Sequence, residues 1–261
     1  MVTAMNDSID KVGLIGAHGG MGRCLSRYMH QPGIQVSGFD QPLVREEMAT
    51  VLAEADLVLL AVPIGAMPDV LEKVVPCLRP ATILADICSV KERPLQLMLQ
   101  AHAGPVVGTH PLFGPQPDPE TELKMAIIPG REQNACNAVH DFFQHLGFGP
   151  FFTTARVHDQ AMAKIQSLNF VTTISYLAAV AQDQGLMEFI TPSFQRRLQA
   201  AQKMLTQDGA LFQTLFEANP YSQDAVRHFR RFLNLAAAGD MDLLQDMAAW
   251  WWRAENNGEK L

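Results

Sequence analysis

The strongest constraint on the fold is an alternation. From Lys11 to Leu146, short apolar runs take turns with stretches of helical pattern. The apolar runs are Lys11 to Gly16, Ile34 to Phe39, Leu57 to Val62, Thr82 to Asp86, Val106 to Thr109 and Met125 to Ile128. Between them lie helical stretches at Met21 to Met29, Val44 to Ala53, Pro68 to Leu78 and Pro94 to His102, and Asn134 to Leu146 follows, closed by Gly147. Strands separated by helices cannot pair as hairpins, so the pattern predicts an α/β fold with a doubly wound parallel sheet. After Thr154 the texture changes. No strand is expected beyond it, only helices: Arg156 to Gln184, Thr191 to Gln207, Gly209 to Glu217, Ser222 to Gly239 and Asp240 to Glu255, with a frayed tail from Asn256. The expected organisation is therefore a sheet domain over residues 1–154 followed by an all-helical domain over 155–261.

Composition narrows the class. With 48% hydrophobic and 18% charged residues, the chain can bury two cores and needs no staple. Its net charge of -7 argues against a nucleic-acid partner, which calls for a basic footprint. Cys24, Cys77, Cys88 and Cys136 are scattered without a C-x-x-C pair, so reduced, buried thiols are expected, together with a cytoplasmic location. The stretch from Met1 to Asp10 is polar and does not read as a secretory signal. No apolar run reaches the ~18 residues that suit a membrane helix. No Cys/His or carboxylate set has metal-binding spacing.

Between the first strand and the first helix stands Gly16-Ala17-His18-Gly19-Gly20-Met21-Gly22-Arg23. Glycines there let the backbone approach a dinucleotide pyrophosphate, and a helix N-terminus favours its charge. The match to G-x-G-x-x-G is incomplete, because Ala17 stands first in the frame ending at Gly22. Asp40 ends the next strand. A carboxylate at that place accepts hydrogen bonds from ribose hydroxyls and repels a 2′-phosphate, selecting NAD over NADP; the other reading is a strand-ending turn before Gln41-Pro42. Arg23 either supports the pyrophosphate or is exposed.

Ligands of such sheets gather at the carboxyl ends of the strands. Three segments meet that edge: Val62-Pro63-Ile64, Ser89-Val90-Lys91, and Thr109-His110-Pro111-Leu112-Phe113-Gly114-Pro115. His110 can take a proton from a substrate hydroxyl, or can be a structural histidine in a proline-rich turn. Ser89 can orient the imidazole or bond a substrate, and Lys91 can bind a carboxylate.

GAHGGMGR, VPI, DICSVK and GTHPLFGP occur here in the order and spacing of prephenate dehydrogenases, and HDQAMAKIQSL (His158 to Leu168) continues the likeness. The chain resembles that family over nearly its whole length, and most of all the dehydrogenase half of bifunctional chorismate mutase–prephenate dehydrogenases. No mutase segment precedes Lys11, so the expectation is the dehydrogenase alone. The resemblance implies a Rossmann domain, a helical domain that builds a homodimer, and oxidation of prephenate by NAD to 4-hydroxyphenylpyruvate and carbon dioxide in tyrosine synthesis. It assigns the catalytic proton transfer to His110 with Ser89 beside it and places Lys91 near the substrate. It sets Gly16, Gly19, Gly20, Met21, Gly22, Arg23, Asp40, Val62 and Pro63 around the cofactor.

The helical half departs from the pattern. Phe170 replaces a histidine, Gln195 replaces an arginine after a Ser-Pro turn, and Lys203 replaces the arginine expected to hold the ring carboxylate, with Arg196 or Arg197 as alternatives. Lysine keeps the charge but lacks the bidentate fork of guanidinium. These departures bear on the substrate and admit a prephenate analogue, arogenate or 4-amino-4-deoxyprephenate. A non-catalytic NAD-binding regulator is the alternative of another class. For His158-Asp159, helix capping by the aspartate is expected over an acid–base pair. Trp250-Trp251-Trp252 cannot all face one core, which suggests a contact with a partner chain.

Overall fold

The computed structural model describes residues 8–181 and 183–253. The residues before Ser8, the expected end of the last helix at Glu255 and the expected frayed tail lie outside them. The chain forms two compact units, one up to Asp159 and one from Gln160.

The first unit is built on a seven-stranded sheet. Its strands are β1 (Lys11–Ile15), β2 (Gln35–Phe39), β3 (Leu57–Leu60), β4 (Ile83–Asp86), β5 (Val106–Pro111), β6 (Lys124–Arg131) and β7 (Gly149–Phe152), in the order β2-β1-β3-β4-β5-β6-β7. Strands β3, β4 and β5 are buried along their whole lengths, which is why they read as continuous apolar runs rather than alternating ones. The first five strands pair in parallel, as expected. β6 departs from the all-parallel expectation, for it runs antiparallel to β5 and parallel to β7. The long loop between Pro111 and Lys124 carries no helix, so the chain returns directly beside β5. β7 was not expected from the sequence; Gly147, at φ +88°, ends the preceding helix and the four residues of β7 follow at once.

Five helices complete this unit: α1 (Gly20–Met29), α2 (Arg45–Leu52), α3 (Met67–Val74), α4 (Glu92–Ala101) and α5 (Gln133–His145). One core cluster joins Leu14, Leu57, Leu59 and Val107 of the sheet to Leu25 and Met29 of α1 and to Val139 and Phe143 of α5. Each such side chain contributes about 1.5–3 kcal/mol by leaving water. Because the strand order reverses between β1 and β3, the crevice at their carboxyl ends opens between the loops after Ile15 and Leu60.

α6 (Ala155–Met162) begins in this unit. The division between the two compact units falls after Asp159. The cause is local: Asp159 is hydrogen-bonded to the backbone at the start of α4, which fastens the first turn of α6 to the sheet unit.

The second unit is helical, with α7 (Leu168–Val180), α8 (Pro192–Thr206), α9 (Gly209–Ala218), α10 (Ser222–Ala238), α11 (Met241–Ala248) and α12 (Trp250–Arg253). The single helix expected from Arg156 to Gln184 is interrupted by a π-type turn over Ala163–Ser167, where Ser167 Oγ accepts a 2.9 Å hydrogen bond from Ser222 of α10. Thr191 caps α8, its hydroxyl accepting from Phe194 N, with Pro192 at the first helical position. Gly239 ends α10 in the left-handed region, at φ +91°. No helix among the described residues is long and apolar enough to cross a membrane.

Candidate active site

The glycine loop is dictated by close approach. Gly16 has φ +88°, and a Cβ there would lie 2.3 Å from the Ala61 carbonyl oxygen at the end of β3. A Cβ on Gly22 would lie 2.1 Å from Gly16 O, so α1 can pack on the loop only with glycine at that position. Gly19 N donates to Gly16 O at 3.1 Å, which folds the loop under the helix start. Gly19 is the N-cap of α1 and supplies no side-chain cap, so the first amides of Gly20, Met21 and Gly22 make up a helix N-terminus of the kind that receives a phosphate. The loop thus fits a dinucleotide. Arg23 is exposed and its guanidinium donates to His18 O, bracing the loop. Asp40 Oδ2 accepts from His18 N at 3.0 Å, tying the end of β2 to the same loop, with His18 Nδ1 3.1 Å away. Val62, just after β3, is half-buried beside Gly16, and Pro63 after it is exposed.

Below this edge lies a buried polar cluster. Lys91 is fully buried. Its Nζ donates to Asp86 Oδ2 and to Thr109 O, each at 2.6 Å. Asp86 Oδ2 also accepts from Cys88 N at 2.9 Å, and Thr109 Oγ1 donates to Asp86 O at 2.6 Å. One ion pair thereby joins the ends of β4 and β5 to the start of α4. The expected role of Lys91 at a substrate carboxylate conflicts with this arrangement, because its ammonium is committed inside the protein and has no exposed surface. Burial and the neighbouring Asp86 carboxylate push the Cys88 thiol up, so it is an inert core group at neutral pH.

His110 stands near the end of β5, 3% exposed. The expected hydrogen bond from Ser89 to its imidazole is absent among the described residues. Ser89 is half-buried in the turn between β4 and α4, and His110 Nδ1 meets His158 Nε2 at 2.8 Å instead. His158 Nδ1 in turn meets Asp159 Oδ1 at 2.8 Å. Asp159 Oδ1 accepts from Lys91 N at 2.7 Å and Oδ2 from Glu92 N at 2.9 Å. The aspartate is indeed a cap, but of α4 rather than of its own helix. His158 was passed over in the sequence; the signal was the His-Asp pair at a helix start, unremarkable until α6 is laid beside β5. Desolvation, then the proximity of His158 and Lys91, hold His110 well below the ordinary imidazole range, so it is neutral and able to accept a proton.

In the second unit, Gln195 and Lys203 are both exposed on α8. Arg197, one of the alternative cations, lies over the Tyr176 ring at 3.9 Å. Phe170 is buried and stacked on Phe212, ring centroids 5.6 Å apart, so its side chain serves packing. Among the described residues no cluster of His, Cys, Asp or Glu could hold a metal ion.

The chain is similar to known proteins over most of its length. The family model of the prephenate dehydrogenase nucleotide-binding domain matches residues 25–124. A T-protein of Enterobacter agglomerans is 30% identical over 224 residues, covering 84% of this chain and 60% of that protein, so the chain spans well under two thirds of that relative's length. Among solved structures, Synechocystis arogenate dehydrogenase superposes with a TM-score of 0.74 at 18% identity, covering 95% of this chain and 100% of that one. Prephenate dehydrogenase from A. aeolicus, solved with hydroxyphenyl propionate and NAD+, superposes with a TM-score of 0.73 at 14% identity, over 97% and 99% of the two chains. The structural likenesses speak for the fold, and the sequence matches for descent: the chain belongs to the prephenate dehydrogenase family.

Proposed function

We propose that the chain is an NAD-dependent oxidoreductase that oxidatively decarboxylates prephenate to 4-hydroxyphenylpyruvate. The observation that carries this reading is His110: a buried, neutral imidazole at the carboxyl end of β5, on the same sheet edge as the glycine loop. The A. aeolicus relative with NAD+ and an aromatic acid bound supports it. The residues of the loop from Gly16 to Arg23, with Asp40, Val62 and Pro63, would hold the dinucleotide, and bound NAD supplies the hydride acceptor. His110 takes the proton of the ring hydroxyl while the hydride leaves the same carbon. The ring carboxylate departs as carbon dioxide, its electron pair closes the aromatic ring, and the ring oxygen takes the proton back from His110 to end as a phenol. The chain's part is to orient, to accept the proton and to keep water out.

Lys203 and Gln195, in place of two arginines, support a second reading in which the same chemistry acts on an analogue, arogenate or 4-amino-4-deoxyprephenate. Absorbance of NADH, followed with the three compounds in parallel, separates the two readings. Prephenate as best substrate establishes the first and an analogue as best substrate the second. His110→Asn then lowers kcat by roughly 10²–10⁴-fold while NAD binding persists; a variant that turns over normally would refute the assigned base. The exposed Trp250, Trp251 and Trp252 (58%, 53% and 65%) support a homodimer built through the helical half, which sedimentation would detect.

A further inference from the structure

The chain of contacts behind His110 has a definite polarity. Both oxygens of Asp159 accept backbone N–H groups, Oδ1 from Lys91 and Oδ2 from Glu92, at the positive end of the α4 dipole. That is the environment of an ionised carboxylate acting as acceptor. His158 Nδ1, 2.8 Å from the same Oδ1, must therefore be the donor of that bond and carry a proton. In a neutral imidazole the other nitrogen is then bare. His158 Nε2 is 2.8 Å from His110 Nδ1, so it accepts, and His110 Nδ1 carries the proton between them. The remaining nitrogen of His110, Nε2, has a lone pair. The opposite polarity would put protons on both nitrogens of His158, a charged ring 3% exposed and edge-on to the buried His110 ring.

We propose that His158, anchored by Asp159, is a positioning residue that fixes the tautomer and ring plane of His110, leaving His110 Nε2 as the nitrogen that faces proton transfer. The proposal rests on the reading of His110 as the proton acceptor of a dehydrogenase. It assigns a role to two residues outside the expected site, one of them 48 positions downstream of the base. It also accounts for the vacant role of Ser89, since His158 takes the nitrogen that a serine hydroxyl would have served. When Nε2 takes a proton from a substrate hydroxyl, the O–H bond breaks, the Nε2–H bond forms, and the positive charge on His110 is balanced through His158 by the Asp159 carboxylate. The titratable and charged groups around His110 are His158 from α6, with Asp159 behind it, and Lys91 with its partner Asp86.

The test has one readout that needs no substrate. In ¹⁵N-histidine-labelled full-length protein, long-range nitrogen–proton correlation spectra report the tautomer of each ring. The expected result is a neutral His110 protonated at Nδ1, and His158 protonated at Nδ1 as well. In His158→Leu the His110 preference is lost and kcat falls by roughly 10²-fold or more, with the dissociation constant for NAD unchanged. His158→Gln offers a side-chain carbonyl to His110 Nδ1–H, and it recovers at least ~10-fold of that loss; it also serves if the leucine variant does not fold. Rescue by glutamine is not expected of a purely packing role. A His110 protonated at Nε2 in the parent protein overturns the proposal, as does a leucine variant with parental kcat. If the tautomer is as proposed and none of the three substrates is turned over, the assigned reaction fails and the assignment of the ring nitrogens stands.

Discussion

Lys91→Met removes the ammonium from the Asp86 pair while keeping the length of the side chain. In the parent, Asp86 is fully buried and its Oδ2 is shared between Lys91 Nζ and Cys88 N, whereas Oδ1 has no hydrogen-bond partner among the described residues. The variant leaves a carboxylate with one neutral donor and no countercharge, and it orphans the Thr109 carbonyl that Lys91 also serves. Breaking a buried pair from one side costs about 3–5 kcal/mol, a large part of the ~5–15 kcal/mol that holds a typical domain together. Adding Asp86→Asn removes the stranded charge while keeping an acceptor for Cys88 N. It should restore on the order of 1–3 kcal/mol, the coupling expected of residues in direct contact. Urea unfolding followed by circular dichroism reads both quantities, and urea leaves the ionic strength unchanged. A single variant within ~0.5 kcal/mol of the parent, or a double variant no better than the single, would refute the structural role. A stable Lys91→Met protein with a raised KM for substrate would return Lys91 to the role first expected of it.

Gly16 and Gly33 share the left-handed region, at φ +88° and +90°, but a Cβ on Gly33 meets nothing within 4 Å. Gly33→Ala should therefore cost only the backbone term of about 1–2 kcal/mol, whereas Gly16→Ala adds the collision with Ala61 O and weakens NAD binding; equal losses in calorimetry would contradict this. Burial holds His110 below its ordinary value of about 6.5, so kcat/KM should stay level as pH falls through that value. Stability should begin to fall there, because the unfolded chain takes the proton first; a kcat/KM that halves near pH ~6.5 would exclude His110 as the base.

Much of this was legible from residues alone. The β1–loop–α1 unit announces itself because glycine is forced by contacts within a few positions, Gly22 against Gly16 being one of them. The buried strands announce themselves because apolar runs such as Leu57–Leu60 fit nothing else of that length. What escaped depends on contacts distant in sequence. The direction of β6 is set by the loop after Pro111, whose prolines and acids say nothing about where the chain returns. Lys91 reads as a cation for a ligand until Asp86 and Thr109 are found around its ammonium. His158 reads as part of a capping pair until Asp159 is seen to cap α4, which turns the imidazole toward His110.

That cap also gives the base an order of completion. Every strand of the sheet and every residue proposed to hold the dinucleotide lies before residue 154, yet the partner of His110 Nδ1 arrives only with His158. A ribosome adding about 5–20 residues per second needs roughly 2–10 s to travel between the two histidines. During that interval β6, α5 and β7 are still being added, and the imidazole has no fixed hydrogen-bond polarity until His158 follows. The residues proposed to hold the dinucleotide are thus all translated before the partner of His110, and a chain severed at Thr154 would lack the two residues proposed to orient its imidazole.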